Sequence, residues 1–321
     1  MASTLTVASP RRPVRQHLQD ALFRGATRAF AIGVLVLLGG IVLSLVLGAT
    51  AAFGTFGWGF LTSVAWNPVK DDFGALPAIY GTLMTSLIAM LIGIPLAIGI
   101  AVFLTELCPP ALRRPIGTLI ELLAAIPSII YGIWGLFVLA PFLQLHVQPF
   151  LIDTLGEVPI IGPLFDGPPL GLGILTAGII LGVMVLPFIA AVTRDVFLTV
   201  PPMLRESAYG VGATTSEVIS HIVLPYTRAG VVGAIMLGLG RALGETMAVT
   251  FVVGNAHHIR ASLLAPGTTI SATLANEFSE AVGRLYPSSL FALGAILFVI
   301  TFIVLAAAKL LLLRLEKQGA K

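Results

Sequence analysis

The 321-residue sequence predicts an all-α polytopic membrane protein with six transmembrane helices. Three observations carry this expectation. Hydrophobic residues make up 57% of the chain and charged residues 10%, whereas a soluble domain has about 25% charged. Six stretches are apolar over the roughly 20 residues that a helix needs to cross about 30 Å of hydrocarbon. No alternating strand pattern repeats, so helices, which satisfy their own backbone hydrogen bonds in lipid, are preferred over a barrel.

The six spans are expected near Ala29–Ala52, Ala78–Leu104, Ile116–Leu143, Leu170–Val192, Gly230–Gly254 and Leu290–Leu313. The first imitates a secretory signal, with Ala49-Thr50-Ala51 resembling a cleavage site. Its strongly apolar part, Ala29 to Leu47, is longer than the roughly 7–15 residues of a signal core, so an uncleaved span is expected. Ahead of it, residues 1–28 read as a cytoplasmic tail, without order through Arg15. In that tail Leu18, Ala21 and Leu22 could form a short amphipathic helix on the membrane surface. Residues 29–315 form the membrane domain, which includes a cytoplasmic loop at 193–229, and residues 316–321 close the chain as a second cytoplasmic tail. Gln144 to Pro169 reads as an outer connection carrying Asp153, Glu157 and Asp166. A short helix is expected at Ser271–Val282, in the outer segment Thr268–Leu285.

Charge distribution sets the orientation. Of 18 basic residues, fourteen fall in the tails and connections placed inside or, for Lys309, at the inner end of the sixth span, and three, Lys70, Arg260 and Arg284, fall outside. Arg241 lies within the fifth span. Both termini are thus expected on the cytoplasmic side of the membrane. The partition also accounts for the net charge of +3 and the pI near 9.2 without nucleic acid as a partner; membrane lipid is the partner that composition implies.

Several chemistries are excluded. All four lysines, Lys70, Lys309, Lys317 and Lys321, follow residues other than glycine, so there is no Gly-Lys of a P-loop, and the chain is not expected to hydrolyse ATP. Neither H-E-x-x-H nor G-x-S-x-G occurs. The single Cys108 cannot form an internal disulfide and reads as a buried or interfacial thiol. His257-His258 lacks a third ligand at suitable spacing and reads as a solvated loop element, not a metal site. No cofactor is expected in this chain.

Two polar stretches stand out among the apolar runs. The first is Glu206-Ser-Ala-Tyr-Gly-Val-Gly212, followed by Ile222-Val-Leu224-Pro225. Ala208, Gly210, Gly212 and Ala213 are small and permit close approach to a neighbouring helix or a partner's groove. Thr214 or Thr215 could cap a helix through Glu217 to Val223, and Pro225 is expected to stop it. An ordinary cytoplasmic linker is the plainer reading. The second stretch is Gly240-Arg-Ala-Leu-Gly-Glu-Thr-Met-Ala-Val-Thr250. Charges inside a membrane are costly and face the protein interior or a water-filled path. Arg241 and Glu245 are four residues apart and could pair on one helix face. Gly240 and Gly244 form G-x-x-x-G, which permits close helix contact. Glu121, in the expected third span, is another partner or a helix–helix hydrogen bond. These charges either hold helices in register or form an anion path, in which the planar donors of Arg241 suit an oxyanion and Glu245 competes to prevent over-tight binding.

The spacing of Glu206, Ala208, Gly212, Ile222, Leu224 and Pro225 resembles the E-A-A-x-x-x-G…I-x-L-P signature of ABC transporter permeases, with Ser207 in place of the first Ala. Further stretches, Phe73 to Leu83, Ile120 to Gly132, Gly240 to Thr250 and Ala275 to Phe278, resemble the phosphate importer permeases of the PstC type. The match covers about residues 70–315, and Ala125 to Trp134 favours this type over the second permease of the same importer. The resemblance implies a type I ABC importer permease fold with a five-helix core. It implies that the signature loop docks on an ATPase, and that ATP and magnesium are held by that partner. The implied partners are a homologous second permease, two ATPase subunits and an external phosphate-binding protein. A permease for molybdate, sulfate or phosphonate remains open at this point, because these anions too present oxygens to a guanidinium. A proton-coupled carrier or a membrane sensor is a different class; the first needs no ATPase, and the second would carry a signalling domain.

Overall fold

In the computed structural model, which describes residues 14–159 and 161–319, apolar composition has produced long helices and almost nothing else. Helix α1 (Val14–Gly48) is followed by the short α2 (Thr50–Phe56) and α3 (Gly59–Thr62). A two-stranded antiparallel hairpin, β1 (Trp66–Asn67) with β2 (Asp72–Phe73), pairs Trp66 with Phe73. Then come α4 (Leu76–Val102) and α5 (Pro110–Ala124), and next α6 (Ser128–Trp134), α7 (Ala140–Phe142) and α8 (Gln148–Leu155), which are joined by π turns. The remainder is α9 (Ile174–Leu198), α10 (Pro202–Gly210), α11 (Thr215–Val218), α12 (Leu224–Leu243), α13 (Met247–Thr250), α14 (Ile270–Glu277) and α15 (Leu285–Gly319).

Six helical stretches are long and apolar enough to span a membrane: Asp20–Phe56, Leu76–Leu107, Ser128–Leu155, Ile174–Leu198, Thr215–Leu243 and Leu285–Arg314. The number agrees with the sequence reading, but two positions do not. The third span begins at Ser128, not Ile116, because Pro127 separates it from α5. It then continues through Gln144 to Leu155, residues expected in an outer connection. The fifth starts at Thr215 and ends at Leu243, so Pro225 does not stop a helix.

A shared local device explains why. Four π turns, Phe103–Leu107, Gly135–Leu139, Leu143–Val147 and Ile219–Val223, each end two residues before a proline: Pro109, Pro141, Pro149 and Pro225. In a regular helix the proline ring clashes with the carbonyl four residues earlier. The wider turn moves that carbonyl aside and lets the chain pass through Pro141, Pro149 and Pro225 as helix.

The unit containing residues 14–47 is a single helix, continuous from the stretch of Leu18, Ala21 and Leu22 into the first span. Among the described residues no break separates that stretch from the span. Residues 1–13, including Arg11 and Arg12, lie outside the described residues. Apolar side chains on several sides of α1, such as Leu35, Leu37 and Ile41, are exposed, as expected of a helix that faces lipid.

The remaining unit, residues 48–321, is built on α4 against α9. A Cβ added at Gly178 would sit 2.6 Å from the side chain of Ile88, so this crossing requires a residue without one. Ala89, Met90, Ile180, Leu181, Met184 and Val185 fill the core beside it. The close contacts of α12 are likewise made by Gly230 against Val196 and Gly238 against Ile189, not by both members of the Gly240/Gly244 pair. Gly240 faces Leu305 at ordinary contact distance, and Gly244 ends the helix.

The short outer-segment helix exists as Ile270–Glu277, five residues shorter than expected at its C-terminal end, with the Thr269 hydroxyl accepting from the Ala272 amide at 3.2 Å. Glu277 gathers the surrounding elements. Trp66 Nε1 and the Tyr286 hydroxyl each donate to Oε2 at 2.8 Å, and His257 Nε2 lies 2.8 Å from Oε1. The His257 ring stacks on Trp66, centroids 4.8 Å apart and 5° from parallel. His257 is thus a largely buried structural residue, not the solvated one expected. Among the described residues no three metal-ligating side chains gather.

Burial pushes the Glu277 carboxyl up, but hydrogen bonds from His257, Tyr286 and Trp66, with the His257 charge, outweigh it and hold the group below the ordinary glutamate range. A carboxylate with a lowered pKa adds stability above its unfolded value, about 4.3, and loses it as pH falls below that. Glu277→Ala leaves three polar groups without their acceptor and is expected to cost about 2–4 kcal/mol at pH 7. Thermal melts in detergent check this: the gap between wild type and variant should narrow as pH drops below about 4.

Candidate functional site

The two polar stretches fold into two different devices. In the first, α10 opens with Pro201 and Pro202, residues suited to a helix start. It closes in a Schellman turn: the Ala213 amide donates to the Ala208 carbonyl at 3.0 Å, and the Gly212 amide to that of Tyr209 at 3.0 Å. The motif places its glycine at positive φ, and Gly212 has φ +90°. Thr214 then opens the next helix. Its hydroxyl accepts from the Glu217 amide, and the Glu217 carboxylate accepts from the Thr214 amide at 2.8 Å, a reciprocal capping box. Val218 and Val223 are buried with Ala101, Phe197 and Val200, which fasten this helix to the ends of α4 and α9. The loop therefore has a fixed shape, while apolar side chains at the two ends of α10 are uncovered: Met203 is 74% and Val211 87% exposed. Glu206, Gly212 and Pro225 are exposed, and Ala208, Ile222 and Leu224 pack from the other side.

The second device is a break. Helix α12 ends at Leu243 with Gly244 as its cap, and α13 starts only at Met247. Arg241 and Glu245 are consequently not on one helix, and no ion pair joins them. Glu245 Oε1 instead accepts from the Ala248 amide at 3.3 Å, capping α13. Arg241 is left exposed in the last turn of α12, where a cation also suits the helix dipole. Its field reaches the Tyr131 phenol on α6. That helix follows the other break, at Ala125–Pro127, and packs on α13: a Cβ at Gly132 would fall 2.8 Å from the Phe251 ring. The helices that follow the two interruptions, α6 and α13, thus pack on each other, and Arg241 ends the helix before the second interruption.

Glu121 is elsewhere. It projects from α5, before the third span, and accepts from Arg194 Nη2 at 2.7 Å; Arg194 also holds Asp195 at 2.7 Å. The structure brings Glu121 together with neither Arg241 nor Glu245. Two residues absent from the sequence reading of the site emerge at the loop end: Glu106, 5% exposed, faces Arg205 of α10 at 3.3 Å. Placing the second span's end at Leu104 left Glu106 just outside it; an end at Leu107 counts it among the membrane charges. Cys108 is buried, as expected.

Interrupted helices carrying intramembrane charges, in a chain with six helices long and apolar enough to cross a membrane, fit a membrane translocation subunit. Residues 93–317 match the family described as "Binding-protein-dependent transport system inner membrane component". The chain belongs to this family and is a multi-pass membrane protein.

Among its relatives is the "Phosphate transport system permease protein PstC" of Mesorhizobium japonicum, 64% identical over 304 residues, covering 95% of this chain and 93% of that protein. The protein of the same name from Pasteurella multocida is 56% identical and covers 96% of each. A "Probable phosphate transport system permease protein PstC" from Methanocaldococcus jannaschii is 40% identical over 76% of this chain and 78% of that protein. Among solved structures, a chain of a bacterial alginate ABC transporter in complex with an alginate-bound periplasmic protein aligns with TM-score 0.58 and 20% identity, covering 92% of this chain and 94% of that one. That likeness shows the fold, a type I ABC importer permease.

Proposed function

We propose that this chain is the permease subunit of an ATP-driven importer of inorganic phosphate. The observation that carries the reading is near-full-length similarity to phosphate transport permeases. At residue level it is supported by Arg241, a guanidinium with no carboxylate partner among the described residues, at the end of a helix that breaks within the membrane domain, suited to a tetrahedral oxyanion. The 206–225 loop is the docking element for an ATPase, which supplies the ATP and magnesium chemistry. Exposed Val211 in the loop, with Met203 at the start of α10, gives the partner an apolar contact, and the Schellman turn and capping box make the loop stiff enough to transmit a push. A homologous second permease, two ATPase subunits and an external binding protein complete the assembly. ATP binding opens the path toward the binding protein, and hydrolysis resets it.

The direct test is ATP-dependent uptake of radiolabelled phosphate by the reconstituted complex, with sulfate, molybdate and a phosphonate as competitors. Phosphate uptake resistant to these competitors is expected; preferential transport of another anion overturns the substrate assignment. Orientation has its own check. The fourteen-to-three partition of basic residues supports the reading that both termini and the loop lie inside. Single cysteines introduced in residues 206–225 should resist an impermeant thiol reagent applied outside right-side-out vesicles. Labelling from outside inverts the topology.

A further inference from the structure

We infer that Glu106 and Arg205 form the latch that passes movement of the docking loop into the membrane helices. This rests on the reading of residues 206–225 as the ATPase docking element, and it assigns positioning roles, not substrate contact, to both residues. Glu106 lies in the π turn that extends α4, and its side chain is 5% exposed. The one cation facing it among the described residues is Arg205, which belongs to α10, the helix that carries the loop tip. Arg205 Nη2 also donates to the Phe197 carbonyl at the end of α9, at 2.7 Å. A single guanidinium therefore ties α10 to the ends of both helices that form the core. Ala101, Phe197, Val200, Val218 and Val223 pack around the same region, so the tie is shielded from water. A buried carboxylate is stable only with its partner, so displacing α10 must either draw α4 along or leave the charge uncompensated.

The contact also has slack. At 3.3 Å it is an ion pair short of hydrogen-bond alignment, and Glu106 Oε1 and Arg205 Nε are both buried without a hydrogen-bond partner. Unused donor and acceptor capacity at a moving joint lets the pair tighten in another arrangement of the loop. Contact without alignment suits a joint better than a rigid strut.

The test uses the reconstituted complex and reads phosphate transported per ATP hydrolysed. Glu106→Gln and Arg205→Gln should each lower this ratio at least about tenfold, with the KM for phosphate and the amount of co-purified ATPase unchanged. Because the two act as a unit, the double Gln variant should be no worse than either single. Arg205→Lys, which keeps the charge and loses the fork, should recover part of the ratio. A purely structural role lowers assembled complex, with ATPase and uptake falling in proportion; an unchanged ratio in assembled Glu106→Gln and Arg205→Lys complexes overturns the latch. Should the docking reading itself be wrong, variants at Gly212 will leave ATPase binding and coupling intact, an outcome independent of Glu106.

Discussion

Arg241→Gln is expected to abolish phosphate uptake while leaving the complex assembled. The side chain makes no ion pair within the described residues and is exposed on this chain, so its removal leaves no buried charge orphaned and little folding energy at stake. What it removes, on the proposed function, is the positive end of the path. Loss of a charged contact to a desolvated anion costs about 3 kcal/mol, on the order of a hundredfold in rate. Uptake normalised to assembled complex checks this. Glu245→Gln should behave differently, because a glutamine oxygen can still accept from the Ala248 amide and keep α13 capped. Uptake in that variant should fall far less. Equal losses in the two variants contradict separate roles.

The second large effect is expected at Gly212. A Cβ there meets nothing within 4 Å in this chain, so steric crowding inside the subunit is not the issue. The difficulty is φ +90°, which L-residues adopt only under strain of about 1–3 kcal/mol. Gly212→Ala imposes the strain with minimal bulk; Gly212→Asp adds charge at a tip whose neighbours are apolar. The alanine variant should weaken transport moderately, and the aspartate variant should stop it, with the permease still inserted and its ATPase loosely held. ATPase co-purification with uptake measurements separates the two. Normal coupling in Gly212→Asp removes this turn from the docking surface.

The sequence made the six spans legible because hydropathy is a sum over some twenty residues and tolerates local error. Span ends were less legible. Pro225 carries a real penalty for a regular helix, and a pattern reading has no means of foreseeing that Ile219–Val223 widens to absorb it. The same holds at Pro141 and Pro149, where the third span continued past its expected end. The four-residue spacing of Arg241 and Glu245 implies a pair only if the helix persists between them, and Gly244 was the available warning that it does not. Thr214 was legible because a capping box is local in sequence. Glu106 was not, because its partner is 99 positions away and only tertiary packing brings them together. Glu277 was hidden for the same reason: Trp66, His257 and Tyr286 come from three separate segments.

The central claim is that Arg241 acts on the anion from its position at the end of α12, not through a pairing with Glu245. The most direct measurement is phosphate uptake by the exchanged double variant, Arg241→Glu with Glu245→Arg, in vesicles containing equal amounts of assembled complex. The account predicts uptake no better than that of Arg241→Gln, because the cation has moved across the helix break and a carboxylate stands where the anion should be met. Near-normal uptake would contradict it and return the two residues to a structural pair.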